Sequence, residues 1–256
     1  MLFDTHTHLD DTRYDGDRDL MIARAHEAGV DRMVTIGCDL ATSQAAVALA
    51  GRYPSVYASV GVHPHEVKQI GDGWYDHLRR LAEHEKVVAY GEIGLDYHYN
   101  HSSPEDQRVR FREQVQLARE LRLPIIIHTR EAQQDTIRIL QEERASDSGG
   151  VFHCFSGDAW LAKDALDLGF YVSFSGILTF QNAGMLRDIA KTIPVDRLLI
   201  ETDCPYLTPV PHRGKRNEPG YVRHVAQTLA DLLNGMSLDA IAETTAANAR
   251  RLFKIP

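Results

Sequence analysis

VVAYGEIGLD, residues Val87–Asp96, is apolar at both odd and even positions. Strict alternation would give a strand with one wet face; this run reads as a strand covered on both faces. Seven further runs are of the same kind: LFDTHTHL from Leu2, VDRMVTIGC from Val30, VYASVGVHP from Val56, PIIIHTR from Pro124, GVFHCFSG from Gly150, FYVSFSG from Phe170 and RLLIETDCP from Arg197. Amphipathic stretches fill the gaps. One covers about Asp17 to Ala28 and is stopped by Gly29, which suits a left-handed C-terminal cap. The best marked begins with Ser103 as N-cap, Pro104 in the first turn and Asp106 three residues on. Phe111, Val115 and Ala118 then share one face. Another starts near Ser237, with Leu238 and Ile241 facing inward. Eight strand–helix units in 256 residues predict an α/β fold, a single (β/α)8 TIM barrel, with a doubly wound open sheet as the alternative. No Ser/Gly/Pro-rich linker divides the chain, so one domain over residues 1–256 is expected.

The composition is that of an ordinary globular chain, with 43% apolar and 25% charged residues, which excludes disorder and fibrous repeats. No apolar run approaches the ~18 residues of a membrane span, and the start MLFDTHTHLD lacks the basic and apolar regions of a leader. Cys38, Cys154 and Cys204 are too few for a disulfide framework, so a reducing cytoplasm is expected. No heptad pattern or exposed apolar stripe suggests a partner, and a monomer is expected. The formal net charge of −8 argues against broad, non-specific clamping of nucleic acid. The 13 histidines point instead to metal or acid–base chemistry.

Metal-capable side chains fall late in the expected strands: His6 and His8 in the first, Glu92 in the fourth, His128 in the fifth, His153 in the sixth and Asp203 in the eighth. In a barrel those strand ends converge on one mouth, the C-terminal one, where barrel active sites lie. The i,i+2 spacing of His6 and His8 puts both rings on one strand face. Charged Glu92 and Asp203 in such a mouth cost several kcal/mol unless paired or metal-bound. Four imidazoles and two carboxylates suit Zn²⁺, Mn²⁺ or Mg²⁺ and disfavour Cu(I) or an iron–sulfur cluster. Six donors exceed the needs of one tetrahedral ion. Two divalent metal ions sharing a carboxylate use them all, and such a pair can stabilise both the attacking and the leaving oxygen at phosphorus. Taken singly, a strand-end histidine is more often a hydrogen-bonded structural residue; six at the same end of different strands favour the metal reading.

Longer blocks carry a resemblance. FDTHTHLD (Phe3–Asp10), GVHPHE (Gly61–Glu66), GEIGLD (Gly91–Asp96), PIIIHTRE (Pro124–Glu131), HCFSG (His153–Gly157), ETDCPYL (Glu201–Leu207) and RGKRNEP (Arg213–Pro219) occur in this order along the chain. In these blocks the sequence resembles the TatD family of metal-dependent deoxyribonucleases and hydrolases, within the amidohydrolase-like barrels. The resemblance implies that His6, His8, Glu92 and Asp203 hold one ion, and that Glu92 bridges to a second held also by His128 and His153. It implies that Asp203 orients or deprotonates the attacking water. The implied activity is that of a 3′-to-5′ exodeoxyribonuclease on single-stranded DNA or DNA ends, often supported by Mg²⁺. One departure is visible: where the family often has an acid directly after Ala132, this chain has Gln133 and Gln134, and the acid comes at Asp135.

Phosphodiester chemistry also needs cations around the metal site. Arg130 stands two residues beyond His128. Arg213, Lys215 and Arg216 follow the eighth strand, where barrels often bind phosphate, with Asn217 beside them. His63, Arg130, Arg213, Lys215 and Asn217 are therefore expected to contact substrate. An ordinary solvated basic turn is the bland alternative for the loop. His65, Asp96 and Tyr97 read equally well as local loop structure. His26, His77, His84, His98, His101, His212 and His224 show no pattern and are expected mostly at the surface. Alternation turns Cys154 and Cys204 away from the ligands, as packing thiols against the outer helices.

The expected partner is DNA, as single strands or ends, or a small phosphodiester. Two divalent ions would bring the net charge to about −4, with the relief at the mouth. That predicts weak binding of long duplex and a preference for ends. A metal-dependent amidohydrolase acting on a C–N or lactone bond is the second enzyme reading, which the basic loop disfavours. A binding protein with a dead site is disfavoured by the full ligand set.

Overall fold

The computed structural model describes residues 1–256. The strands are β1 Leu2–Thr7, β2 Val30–Thr35, β3 Val56–Val60, β4 Val87–Asp96, β5 Ile125–Arg130, β6 Gly150–Phe152, β7 Tyr171–Phe174 and β8 Leu198–Ile200. Each pairs in parallel with the next, in the order β1 to β8. The ring closes through a parallel bridge between Thr7 and Cys204, with His8 N donating to Cys204 O at 2.8 Å and Asp203 N to His6 O at 3.0 Å. This is the (β/α)8 barrel, not the open sheet.

Helices α1 Arg18–Glu27, α2 Leu40–Arg52, α3 Trp74–Ala82, α4 Pro104–Leu121, α5 Gln133–Glu142, α6 Ala159–Asp167, α7 Gly184–Ala190, α8 Val222–Leu232 and α9 Leu238–Phe253 follow the strands in turn. The expected caps are present. Gly29 adopts φ 89° after α1, Ser103 accepts from Asp106 N at 3.1 Å, and Ser237 accepts from Ala240 N at 3.2 Å. The late strands are shorter than their apolar runs. β8 stops at Ile200, so Asp203 lies in the segment beyond it, held by β1. No helix is long and apolar enough to cross a membrane.

Two apolar layers follow from the alternation. Phe3, Val34, Tyr57, Val88, Ile126, Val151, Tyr171 and Leu199, one from each strand, form a single cluster with Ala246, Ala249, Leu252 and Phe253 of α9. Only the barrel interior can touch all eight strands at once. The last turn of α9 therefore closes its floor, with the Phe3 and Phe253 rings 6.1 Å apart. Neighbouring positions, among them Leu2, Met33, Ile125, Ile127, Phe152, Val172, Leu198 and Ile200, face outward into a larger cluster with the helices. Above the apolar floor the interior turns polar. Thr5 Oγ1 lies 3.3 Å from Ser173 Oγ, and Ser173 donates to Glu201 Oε2 at 2.6 Å.

Candidate metal centre

The side chains above that polar layer do not all arrive by simple alternation. His128 is two residues beyond interior Ile126, and His153 two beyond interior Val151, so both point inward as pleating dictates. In β1, Phe3 faces in, and strict alternation would turn His6 out toward the helices. The β1–β2 register slips between Asp4 and Thr7, which admits one extra residue and brings His6 inside. In β4, Tyr90 belongs to the outer layer, and alternation would put Glu92 there too. The β4–β5 register slips between Tyr90 and Ile93, and Glu92 turns into the barrel. Gly91 lies in that slip with φ 154°, where a Cβ would come within 2.7 Å of Ile126 O.

Glu92 is the centre of the cluster. Its Oε1 lies 2.7 Å from His153 Nε2, 2.9 Å from His128 Nδ1 and 3.5 Å from His63 Nε2. Its Oε2 lies 3.4 Å from His6 Nε2. On the β1–β8 side, Asp203 Oδ1 is 3.7 Å from His6 Nε2 and 3.3 Å from His8 Nε2. The His6 and His153 rings stack at 3.9 Å. All six expected ligands thus meet, and His63 meets Glu92 with them.

Two carboxylates stand behind this cluster: Asp96, for which the sequence left a site role and local loop structure evenly open, and Glu201, which the sequence reading missed. Asp96 Oδ2 lies 3.0 Å from His128 Nε2 and 3.1 Å from His65 Nε2. Glu201 Oε1 lies 3.2 Å from His153 Nδ1 and accepts from Cys154 N at 2.6 Å. A carboxylate on the far nitrogen fixes an imidazole's tautomer and orientation and raises its basicity as a ligand. Only the placement of Glu201 two residues before Asp203, at the start of ETDCP, could have flagged it. Cys38, given no role by the sequence, comes within 4.0 Å of His8 Nδ1.

The electrostatics suit a cation. Burial alone would raise the Glu92 carboxyl, but His153, His63 and His128 outweigh it and hold Glu92 well below the usual carboxylate range. Burial opposes charge on Asp203 too, yet His8 and His6 keep it low. Burial, reinforced by neighbouring imidazoles, pushes His6 down and His63 well down, so both keep free lone pairs near neutral pH. His153 goes the other way: Glu92 and Glu201 overcome burial and raise it well above its ordinary value. Both ring nitrogens of His6 are buried without a hydrogen-bond partner. Such orphaned polar atoms are costly in a dry interior, and the one with the free lone pair fits a bond to a metal ion. Two groups that bring donor atoms within 4.8 Å of one another are His6–His8–Asp203 and His63–Glu92–His128. The residues present therefore fit a divalent cation bound by N and O donors.

The basic residues divide. Arg130, Arg213 and Lys215 are exposed. The Arg130 guanidinium lies 4.8 Å from the Tyr99 ring centre, and that of Arg213 3.9 Å from Phe180. Arg216 is spent on Asp17, at 2.7 Å, and Glu218, at 2.9 Å. Asn217, expected to contact substrate, is turned inward instead of toward the mouth. It is fully buried, and its amide donates to Thr202 O at 2.9 Å and Tyr206 O at 2.5 Å while accepting from Glu218 N at 2.9 Å. No donor is left for a ligand; it braces the loop. Cys204 is packed in the outer core as expected. Cys154 is not, because its φ of 43° breaks the alternation and sets Sγ 3.2 Å from Ser175 Oγ. At the helix start that departs from the family pattern, Asp135 accepts from Tyr97 Oη at 2.7 Å.

A sequence model of the family described as TatD related DNase matches residues 3–254. The chain belongs to the TatD family. It is 47% identical over 255 residues to YabD of Bacillus subtilis, described as an uncharacterized metal-dependent hydrolase, covering 100% of both chains. It is 38% identical over 260 residues to TatD of Salmonella typhimurium, described as a 3′-5′ ssDNA/RNA exonuclease, covering 99% of each. The crystal structure of the TatD homologue YjjV from Escherichia coli superposes with a TM-score of 0.93 at 31% identity, covering 100% of this chain and 98% of that one. As a TatD-family protein the chain is a metal-dependent hydrolase, with a mouth whose His, Asp and Glu groups can bind metal.

Proposed function

We propose that this TatD-family hydrolase cleaves phosphodiester bonds, as a 3′-to-5′ exonuclease on single-stranded DNA or DNA ends, with two divalent ions. The observation that carries the reading is the junction at Glu92, whose two oxygens face different histidines: His6 on one side, His128 and His153 on the other. A carboxylate so placed suits a bridge. His6, His8 and Asp203 would complete one site, and His128 and His153 the other. When bound, Mg²⁺, Mn²⁺ or Zn²⁺ supplies Lewis-acid charge that makes water a nucleophile near neutral pH and stabilises the attacking and leaving oxygens.

The chain's own groups do the rest. Asp203, held as a carboxylate by His8 and His6, accepts the proton of the attacking water. Asp96 and Glu201 keep His128 and His153 aimed at Glu92. Arg130, Arg213 and Lys215 neutralise phosphoryl oxygens as charge builds on them. The name of the Salmonella relative supports a single-stranded substrate. The acidic total of −8 supports engagement of ends over long duplex. We further infer one catalytic unit over residues 1–256, working as a monomer in a reducing cytoplasm, in keeping with three free cysteines.

The test is a substrate panel with Mg²⁺, Mn²⁺ or Zn²⁺: single-stranded DNA, a simple phosphodiester and a dihydropyrimidinase-type amide, with products sized. Mononucleotides released from the 3′ end are expected. Turnover of the amide alone would replace this reading with the amidohydrolase one.

A further inference from the structure

Of the ten tyrosines, only two are exposed: Tyr99 at 54% and Tyr206 at 48%. Both stand on the rim of the mouth. Tyr206 follows β8, three residues after Asp203, and its ring centre is 5.9 Å from that of His8. Tyr99 follows β4, and its ring centre is 5.6 Å from that of His65, the histidine on Asp96. In an eight-stranded ring β4 and β8 are four places apart, so the two tyrosines face each other across the cluster.

Each also carries an arginine. Arg13 lies 4.5 Å from the Tyr206 ring centre. It is pinned there by Asp11, which accepts from its Nε at 2.8 Å and its Nη2 at 2.7 Å. Arg130 lies 4.8 Å from the Tyr99 ring centre. A scattered exposed aromatic needs no explanation. Two half-exposed rings, each with a cation near its centre and Tyr99 also stacked with His101 at 5.6 Å, on opposite sides of one cluster, are a matched pair. Flat rings with adjacent cations recognise unpaired nucleobases joined by phosphates: bases stack on the rings and the backbone meets the charge.

We propose that Tyr99 and Tyr206 are base-stacking platforms that hold a single strand across the mouth, so that a phosphodiester of the segment between the two stacked nucleotides lies over Glu92. This rests on the nuclease reading above and deepens it: the rings select unpaired nucleotides, because bases in a duplex already stack on one another. The mouth spans on the order of 15 Å by strand spacing and tilt, a reach of a few nucleotides.

The experiment measures KM and kcat with Mn²⁺ on a short single-stranded oligodeoxynucleotide and on an abasic strand of equal length, which keeps the phosphates and lacks the bases. The unmodified chain is compared with Tyr206→Leu, Tyr206→Phe and Tyr99→Leu. Each leucine variant is expected to raise KM for the normal strand roughly 5- to 100-fold, with kcat changed much less. Tyr206→Phe recovers most of that loss, since the ring remains. On the abasic strand the leucine variants and the unmodified chain converge. Cleavage with unchanged KM in both leucine variants, or an equal loss on the abasic strand, overturns the platforms and leaves the nuclease reading standing. No cleavage of the normal strand by the unmodified chain removes both.

Discussion

Asp96 Oδ2 sits 3.0 Å from His128 Nε2, while the other ring nitrogen of His128 faces Glu92 at 2.9 Å. Burial works against a charge on Asp96, but His128 and the Tyr99 amide outweigh it and hold the carboxyl low. A negative charge therefore stands behind the imidazole at neutral pH. Asp96→Asn keeps the size and an acceptor but removes the charge. Metal affinity is expected to fall about 10- to 100-fold, read by titration calorimetry, with the melting temperature of the metal-free protein nearly unchanged. Equal affinity in the variant would show that Asp96 only shapes its loop.

The loop after β8 separates binding from bracing. Arg213→Ala combined with Lys215→Ala is expected to raise KM for a phosphodiester and to weaken its salt dependence, because both side chains are exposed cations. Asn217→Ala acts differently. It strands the Thr202 and Tyr206 carbonyls and the Glu218 amide, and unfolding by urea should show a loss of about 1–3 kcal/mol. If the double variant leaves KM unchanged, the loop is not a phosphate site.

Asp17 is gripped by Arg216 and by Arg24, and these two hold its carboxyl below its ordinary value. A carboxyl with a lowered folded-state pKa adds stability above its unfolded value of about 3.9, and that stability is lost as pH falls through the folded-state value. Asp17→Asn should therefore melt below the unmodified protein near neutral pH. The gap should close on acidification below about pH 4. A gap that stays constant down to strong acid would mean that charge is not what Asp17 contributes.

Gly94 has φ 146°, and a Cβ there would lie 1.9 Å from the carbonyl oxygen of His128. The clash is with backbone, so no side chain can yield. Gly94→Ala is expected to destabilise the fold by about 3 kcal/mol or more and to spread β4 from β5 beside the cluster. A variant that melts like the unmodified protein would contradict the close strand approach.

Pleating is what made part of the site legible. PIIIHTR and GVFHCFSG declare their inward positions through Ile126 and Val151, and His128 and His153 follow two residues on. The i,i+2 pair His6 and His8 was legible as a pair, but not the way in: by alternation from Phe3, His6 points outward, and only the slip in β1 reverses it. Glu92 depends in the same way on the slip in β4. Register slips depend on how two strands meet, and no single run of residues records them. The partners behind the ligands were hidden for a related reason. Asp96 and Glu201 show their role only through His128 and His153, which lie 32 and 48 residues away. The inward turn of Asn217 was not legible, because its basic neighbours Arg213 and Lys215 are exposed while its own side chain is buried.

The aromatic floor made by Phe3 and Phe253 has a consequence for traffic. The barrel is a blind well, so nothing threads through it. A polymer meets the centre only by dipping an end or lying across the rim, and what is cut off must leave by the opening through which the rest of the molecule entered. Departure of the fragment and advance of the remaining chain then compete for one doorway. If the substrate is a nucleic acid strand, as proposed above, turnover on a long chain would be paced by that exchange as well as by the hydrolytic step.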